Sequence, residues 1–135
     1  MIKNNFITGT RIIKFSQAFT LIWGIIILVL CLIPASDLPK VNPIPNLDKI
    51  VHFILYFVFT VSAFTTKQLL GKKISTVFIL SGFFLFSFSI EVLQAVLPFN
   101  RSFSLYDLLS NSSGLFAGWL AYKVIIAQRL SQSKS

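Results

Sequence analysis

Four long apolar segments divide the chain, and short stretches holding most of its charges separate them. The segments run over residues 15–33, 47–66, 74–97 and 105–127. Each corresponds to roughly 28–36 Å of α-helix, which is long enough to cross a bilayer. The runs are continuous rather than alternating, so they favour helices over strands. The pattern predicts an all-α integral membrane protein, a bundle of four transmembrane helices forming a single domain over residues 1–135.

The composition supports a membrane protein and excludes a disordered chain. Of the 135 residues, 55% are hydrophobic and 12% are charged, whereas a soluble domain carries about 25% charged residues. The first segment could also be interpreted as a cleaved signal peptide, but its apolar run is long enough to remain as a span. The single cysteine, Cys31, excludes an internal disulfide.

The basic residues are distributed unevenly along the chain, and this predicts its orientation. Nine of the twelve lie in the N-terminal tail, the second connection and the C-terminal end: Lys3, Arg11, Lys14, Lys67, Lys72, Lys73, Lys123, Arg129 and Lys134. Only Lys40, Lys49 and Arg101 lie on the other side. The positive-inside rule then places both termini in the cytoplasm. With this distribution, anionic lipids account for the net charge of +8 more simply than a nucleic acid does.

The acidic residues and the only histidine all fall on the outward side. They are Asp37, Asp48, Glu91, Asp107 and His52. Glu91 lies about 9 Å inside the third helix, where a carboxylate must be protonated, be paired or face a wet cavity. Gln94 shares its helix face. Glu91 is therefore a candidate catalytic group, and the alternative is a structural residue that holds helices together.

The second helix carries a polar stripe in which Asp48, His52 and Tyr56 recur every four residues. Asp48 could orient His52 for acid–base chemistry. The alternatives are structural. A carboxylate in a first helical turn favours the helix dipole, and Tyr56 could be a packing aromatic.

The fourth helix places Asp107, Asn111, Gly114 and Gly118 on one face. Asp107 also completes a variant capping box with Ser104, so it could be either a site residue or a helix-start residue. Asn111 lies one turn deeper and needs a partner. Gly114 and Gly118 form a small-xxx-small pair, which predicts close helix packing.

Two basic residues near the outer surface are candidate ligands for an anion. Arg101 could pair with Glu91 or Asp107, or it could bind a phosphate or carboxylate, with Lys49 assisting. It could also reach the headgroup level as a snorkelling side chain. No cofactor is expected, because the chain has too few Cys and His for a thiolate zinc site. A Mg²⁺ or Ca²⁺ ion on Asp48, Glu91 and Asp107 is compatible with their oxygen ligands, although no spacing requires it.

Three of these stretches together resemble the VanZ-like family of small bacterial membrane proteins. They read D-K-x-x-H-F-x-x-Y from Asp48, E-x-x-Q from Glu91 and R-x5-D-x3-N-x2-G from Arg101. The resemblance covers roughly residues 23–122 and implies a multi-pass protein of the bacterial inner membrane. The family's namesake is associated with low-level teicoplanin resistance, and the resemblance implies no specific reaction.

Two hypotheses follow for the polar residues of the outward side. In the first, they act on an envelope lipid or a lipid-linked cell-wall precursor. His52 and Glu91, with Asp48 and Asp107, would then be the catalytic candidates. The ligand-binding candidates would be Arg101, Lys49, Gln94, Asn111 and Tyr56. In the second, the same residues form a non-catalytic network that fixes helix packing or binds a lipid or partner.

Overall fold

The computed structural model describes residues 2–34, 46–98 and 101–132, with side chains described over 9–34, 46–98 and 101–125. Four helices make up these ranges and no strand occurs in them: α1 (Ile2–Leu32), α2 (Leu47–Leu69), α3 (Thr76–Val96) and α4 (Leu105–Gln132). The prediction of an all-helical protein with four helices is confirmed. Asp37 and Lys40 lie outside the described residues.

The helices follow the predicted apolar segments, and α1, α2 and α4 continue past them at their basic ends, whereas α3 begins at Thr76, inside its predicted segment of 74–97. Helix α1 begins at Ile2 rather than near Phe15, and α2 continues to Leu69 rather than Thr66. Hydropathy marks where a chain becomes apolar, whereas backbone hydrogen bonding decides where a helix ends. Lys and Arg are good helix formers, so the basic flanks remain helical.

The helices form a ring in the order α1, α2, α4, α3. Helix α2 packs on α1 and α4, and α3 packs on the same two helices, while the Cα atoms of α2 and α3 stay more than 8 Å apart. The tightest contact is between α2 and α4. These two helices run parallel, because successive residues of α2 meet successive residues of α4 from Lys49 beside Asp107 to Phe57 beside Gly118.

Two glycines allow this close approach. A Cβ built on Gly114 would lie 2.4 Å from the Phe53 carbonyl oxygen, and one on Gly118 would lie 2.6 Å from that of Phe57. Backbone atoms cannot move aside as the end of a flexible side chain can. Only glycine fits at both positions, as expected of a small-xxx-small pair.

The exterior of the bundle is apolar, and polar side chains are buried inside it beside a hydrophobic core. Large hydrophobic side chains such as Phe15, Phe78 and Val96 are more than 70% exposed. The buried polar residues are His52, Thr60, Thr66, Ser87, Glu91, Gln94 and Asn111. So apolar an exterior fits lipid as the surrounding solvent.

Three helical segments are long and apolar enough to cross a membrane: Gly9–Leu32, Leu47–Leu69 and Thr76–Val96. The fourth predicted span, in α4, is not among these candidates, although α4 is a long helix. Its Asn111 is buried, while Leu109 and Phe116 are exposed. Polar residues that face the bundle lower its average hydropathy without making its outer face polar.

Helix α3 is packed more tightly at its C-terminal end than at its N-terminal end. Its buried residues are Ser87, Ile90, Glu91 and Gln94, all in its second half. The first half is joined to α2 mainly by a ring stack, with the centroids of Phe59 and Phe83 4.2 Å apart. Helix α3 therefore leans into the bundle at its C-terminal end and away from it at its N-terminal end.

The α2–α4 contact makes a prediction about stability. Gly114→Ala should destabilise the protein by about 1–3 kcal/mol, because overpacking forces backbone shifts. The control is Gly82→Ala on α3, where a Cβ would meet nothing within 4 Å. Chemical unfolding in mild detergent measures both. If the two variants unfold alike, the close contact is not what stabilises the pair.

Candidate functional site

The predicted polar residues converge at one end of the bundle, where α1 and α3 end and α2 and α4 begin. They form two layers. The outer layer lines an open cavity of about 360 Å³, within the range of ligand sites. Its lining is Asp48, Lys49, His52, Gln94, Arg101, Ser102, Ser104 and Asp107. The inner layer, Tyr56, Ser87, Glu91 and Asn111, is fully buried beneath it.

Lys49 bridges two carboxylates across the outer layer. Its Nζ lies 2.8 Å from Asp107 Oδ1 and also pairs with Asp48. Asp48 is the more exposed partner, with a side chain 60% accessible. The ammonium joins the start of α2 to the start of α4 and occupies the space between the carboxylates. Lys49 is therefore committed to these carboxylates and is less available for an external anion.

Arg101 and Gln94 meet at the end of α1. Arg101 Nη1 donates to the Cys31 carbonyl oxygen at 2.9 Å, and Gln94 Nε2 donates to the same oxygen at 2.6 Å. Cys31 is the penultimate residue of α1, so its carbonyl lacks a partner within the helix. The guanidinium also opposes the negative end of the helix dipole. Both candidates thus cap α1 while also lining the cavity.

Glu91 reaches the outer layer through the backbone of Ser104. Its Oε2 accepts a hydrogen bond from the Ser104 N–H at 3.2 Å, and Ser104 Oγ accepts one from the Asp107 N–H at 3.2 Å. In a full capping box the residue at position 107 would bind the Ser104 N–H itself. Glu91 takes that place, which leaves the Asp107 carboxylate free to pair with Lys49.

The hydrogen-bond partner of His52 is Asn111 rather than Asp48. His52 Nδ1 lies 3.0 Å from Asn111 Oδ1, and Asn111 Nδ2 donates to Ser87 Oγ at 2.8 Å. An amide oxygen only accepts, so Nδ1 carries the proton and Nε2 keeps a lone pair in the neutral ring. The expectation that Asp48 orients His52 is corrected: the Asp48 carboxylate pairs with Lys49, its neighbour in the chain.

Two oxygens of the inner layer have no hydrogen-bond partner among the described residues. They are Glu91 Oε1 and the Tyr56 hydroxyl, and both residues are 0% exposed. His52, Arg101 and Asp107 are close enough to Glu91 to act on its charge. Tyr56 does not line the cavity, so its position is that of a core residue rather than a ligand-binding one.

Sequence reasoning missed Ser87 and the Cys31 carbonyl. Ser87 lies four residues before Glu91 and so shares its helix face, and that spacing was the available signal. The sequence did not mark the Cys31 carbonyl as part of the site, because every residue has a carbonyl. Pro34 predicts only that α1 ends near this position. Among the residues with described positions, no three His, Cys, Asp or Glu side chains are grouped to hold a metal ion.

Comparison with known proteins gives one family. A profile described as VanZ/LLP1 matches residues 3–126. Neither a curated protein nor a solved structure matches the chain. The match extends from α1 into the second half of α4, so it includes both layers of the polar end.

The buried hydrogen-bond chain makes a prediction that two serines of α3 can test. Ser87→Ala should cost about 1–3 kcal/mol of unfolding free energy, because it leaves the Asn111 amide without its acceptor. Ser89→Ala is the matched control, since Ser89 is exposed and bonds only to Leu85 of its own helix. Its effect should stay within about 0.5 kcal/mol. Equal losses in chemical unfolding would show that the chain does not stabilise the fold.

Proposed function

Because the chain belongs to the VanZ/LLP1 family, we propose that it is a multi-pass protein of a bacterial cytoplasmic membrane that acts at the cell envelope. Its polar cavity receives the headgroup of an envelope lipid or of a lipid-linked cell-wall precursor. The positive-inside distribution supports an outward-facing cavity, with both termini and the end of α4 in the cytoplasm.

The observation that carries this proposal is a polar cavity of about 360 Å³ in a bundle with an otherwise apolar exterior. Placing so many polar side chains at the end of a membrane bundle costs free energy, so we expect them to have a structural or functional role. Half of the layered cluster is packed solid, but the outer half leaves open space. That space is the feature a purely structural network would not need.

Arg101 is the residue best placed to bind an anion there. One of its N–H groups binds the Cys31 carbonyl, and no carboxylate pairs with it among the described residues. The guanidinium keeps further donors in a planar fork that matches phosphate or carboxylate. Lys49 is already neutralised by Asp48 and Asp107, so it orients the cavity wall rather than leading in binding.

His52 is the candidate proton-transfer group, since it lines the cavity and its Nε2 is a base when Nδ1 donates to Asn111. Glu91 does not line the cavity. It supports the site by holding the Ser104 N–H and the start of α4. Glu91 is therefore a positioning residue buried beneath the cavity, whereas His52 lines the cavity itself.

A second candidate function is non-catalytic. The observation that favours it is that many residues of the cluster already hold helices together. Gln94 and Arg101 both cap α1, and Asn111 links α2 with α3. The cavity would then bind a lipid or partner without reaction and alter the access of a glycopeptide to its target. Both candidates share anion recognition by Arg101 and differ in the need for His52.

Teicoplanin and vancomycin susceptibility in a sensitive bacterium tests this function. We expect the wild-type chain to raise teicoplanin tolerance and Arg101→Lys to lose most of that rise, because lysine keeps the charge but loses the fork. Glu91→Gln should weaken it if a charged carboxylate is required. Ser89→Ala, with membrane levels matched, is the control.

His52→Gln separates the two candidates, because glutamine can still donate to Asn111 but cannot transfer a proton at neutral pH. Loss of tolerance in this variant, with folded protein present, supports the catalytic candidate. Retained tolerance supports the binding candidate. If the wild type behaves like the empty vector, resistance is not the protein's role.

A further inference from the structure

The end of the bundle opposite the polar cavity holds a second, larger cavity of a different kind. It occupies the gap that opens where the first half of α3 leans away from α2, with a volume of about 510 Å³. We name it the wedge cavity. Its lining is Phe59, Ala63, Thr66, Lys67, Leu70, Lys72, Ile74, Phe78, Ile79, Gly82, Phe83 and Phe86.

The wall of the wedge cavity is apolar along the helices and basic at its mouth. Phe78 to Phe86 on α3 span about 12 Å of helix, which gives the open cavity its length along α3. Lys67 and Lys72 lie at the other end, where α2 finishes and the connection to α3 begins. A long apolar groove with cations at one end is complementary to an amphiphile with an anionic headgroup.

No acidic residue of the described chain neutralises these lysines. Asp48, Glu91 and Asp107 all lie at the opposite end of the bundle, and the ion pairs among the described residues involve only Lys49. Lys67 lines the mouth, and its Nζ also lies 5.5 Å from the ring centroid of Phe64, a cation–π contact that leaves its charge without a carboxylate partner. The mouth therefore attracts an anion from outside the chain.

Fewer contacts hold the first half of α3 to the bundle than hold α1 and α2 to each other. Trp23 Nε1 donates to the Leu55 carbonyl, and Ser16 bonds to Thr66, so α1 and α2 are tied together along their length. In the described residues, the hydrogen bonds of α3 to other segments come from Ser87, Glu91 and Gln94. Nothing comparable holds its first half.

We propose that the wedge cavity binds one anionic phospholipid, with an acyl chain between α2 and α3 and its phosphate on Lys67 and Lys72. The lipid fills the gap and fastens the first half of α3 to the bundle. This site is separate from the polar cavity and does not depend on the function proposed for it.

The test compares phosphatidylglycerol with phosphatidylcholine, each added to the full-length protein purified in mild detergent. Binding is followed by native mass spectrometry, and stabilisation by thermal unfolding. We expect phosphatidylglycerol to bind and stabilise more strongly than phosphatidylcholine. The double variant Lys67→Gln, Lys72→Gln should weaken phosphatidylglycerol binding roughly 25-fold, from about fivefold per lysine at a membrane surface. Lys123→Gln, at the same end on α4 but outside the cavity lining, is the charge control.

A second variant tests the apolar part of the site. Gly82 lines the wedge cavity, and a Cβ there meets nothing within 4 Å, so Gly82→Leu should fold but fill the space of the acyl chain. Ser81→Leu, exposed on the same helix and outside the lining, is its control. We expect phosphatidylglycerol binding to fall in Gly82→Leu alone.

Three outcomes overturn the proposal. Equal effects of the two lipids, or equal losses in Lys123→Gln and the double variant, mean that the lysines act only through general surface charge. Unchanged binding in Gly82→Leu means that no acyl chain enters. A dimer that Gly82→Leu dissociates in light scattering assigns the wedge cavity to a second copy of the chain instead.

Discussion

Polar groups in a bundle with an apolar exterior have to find their partners inside it, and this constraint organises one whole end of the molecule. Water cannot satisfy the end of a helix in hydrocarbon. The Cys31 carbonyl near the end of α1 accepts hydrogen bonds from Gln94 and Arg101. At the start of α4, the Asp107 N–H donates to the Ser104 hydroxyl, and the Ser104 N–H donates to Glu91. The same contacts that satisfy helix ends therefore also connect separate helices.

Asn111 shows how this constraint joins three helices. Helices α2 and α3 lie on opposite sides of the ring, yet Asn111 of α4 binds His52 of α2 with one end of its amide and Ser87 of α3 with the other. The glycines make this possible. Close approach of α4 to α2 at Gly114 and Gly118 sets the register in which Asp107 meets Lys49 and Asn111 meets His52.

Much of this end could be predicted from the sequence, because both its location and its members follow from local rules. Helical spacing puts Asp48, His52 and Tyr56 on one face, and the positions of the polar residues near the ends of the predicted helices place them at one end of the bundle. The pairing within the cluster could not be predicted the same way. His52 and Asn111 are 59 positions apart and Arg101 and Cys31 are 70 apart, so tertiary packing alone decides that they meet. Asp48 illustrates the limit: four-residue spacing made His52 a plausible partner, but the adjacent Lys49 was a stronger one.

The unequal packing of α3 follows from the same distribution of polar residues. Its second half carries Ser87, Glu91 and Gln94, each needing a partner, and each draws the helix toward α1 or α4. Its first half carries mainly Phe and aliphatic side chains, which lipid solvates as well as protein does, so nothing comparable draws it in. The protein thus has one end closed by hydrogen bonds and ion pairs, and another where packing depends on what fills the space between α2 and α3.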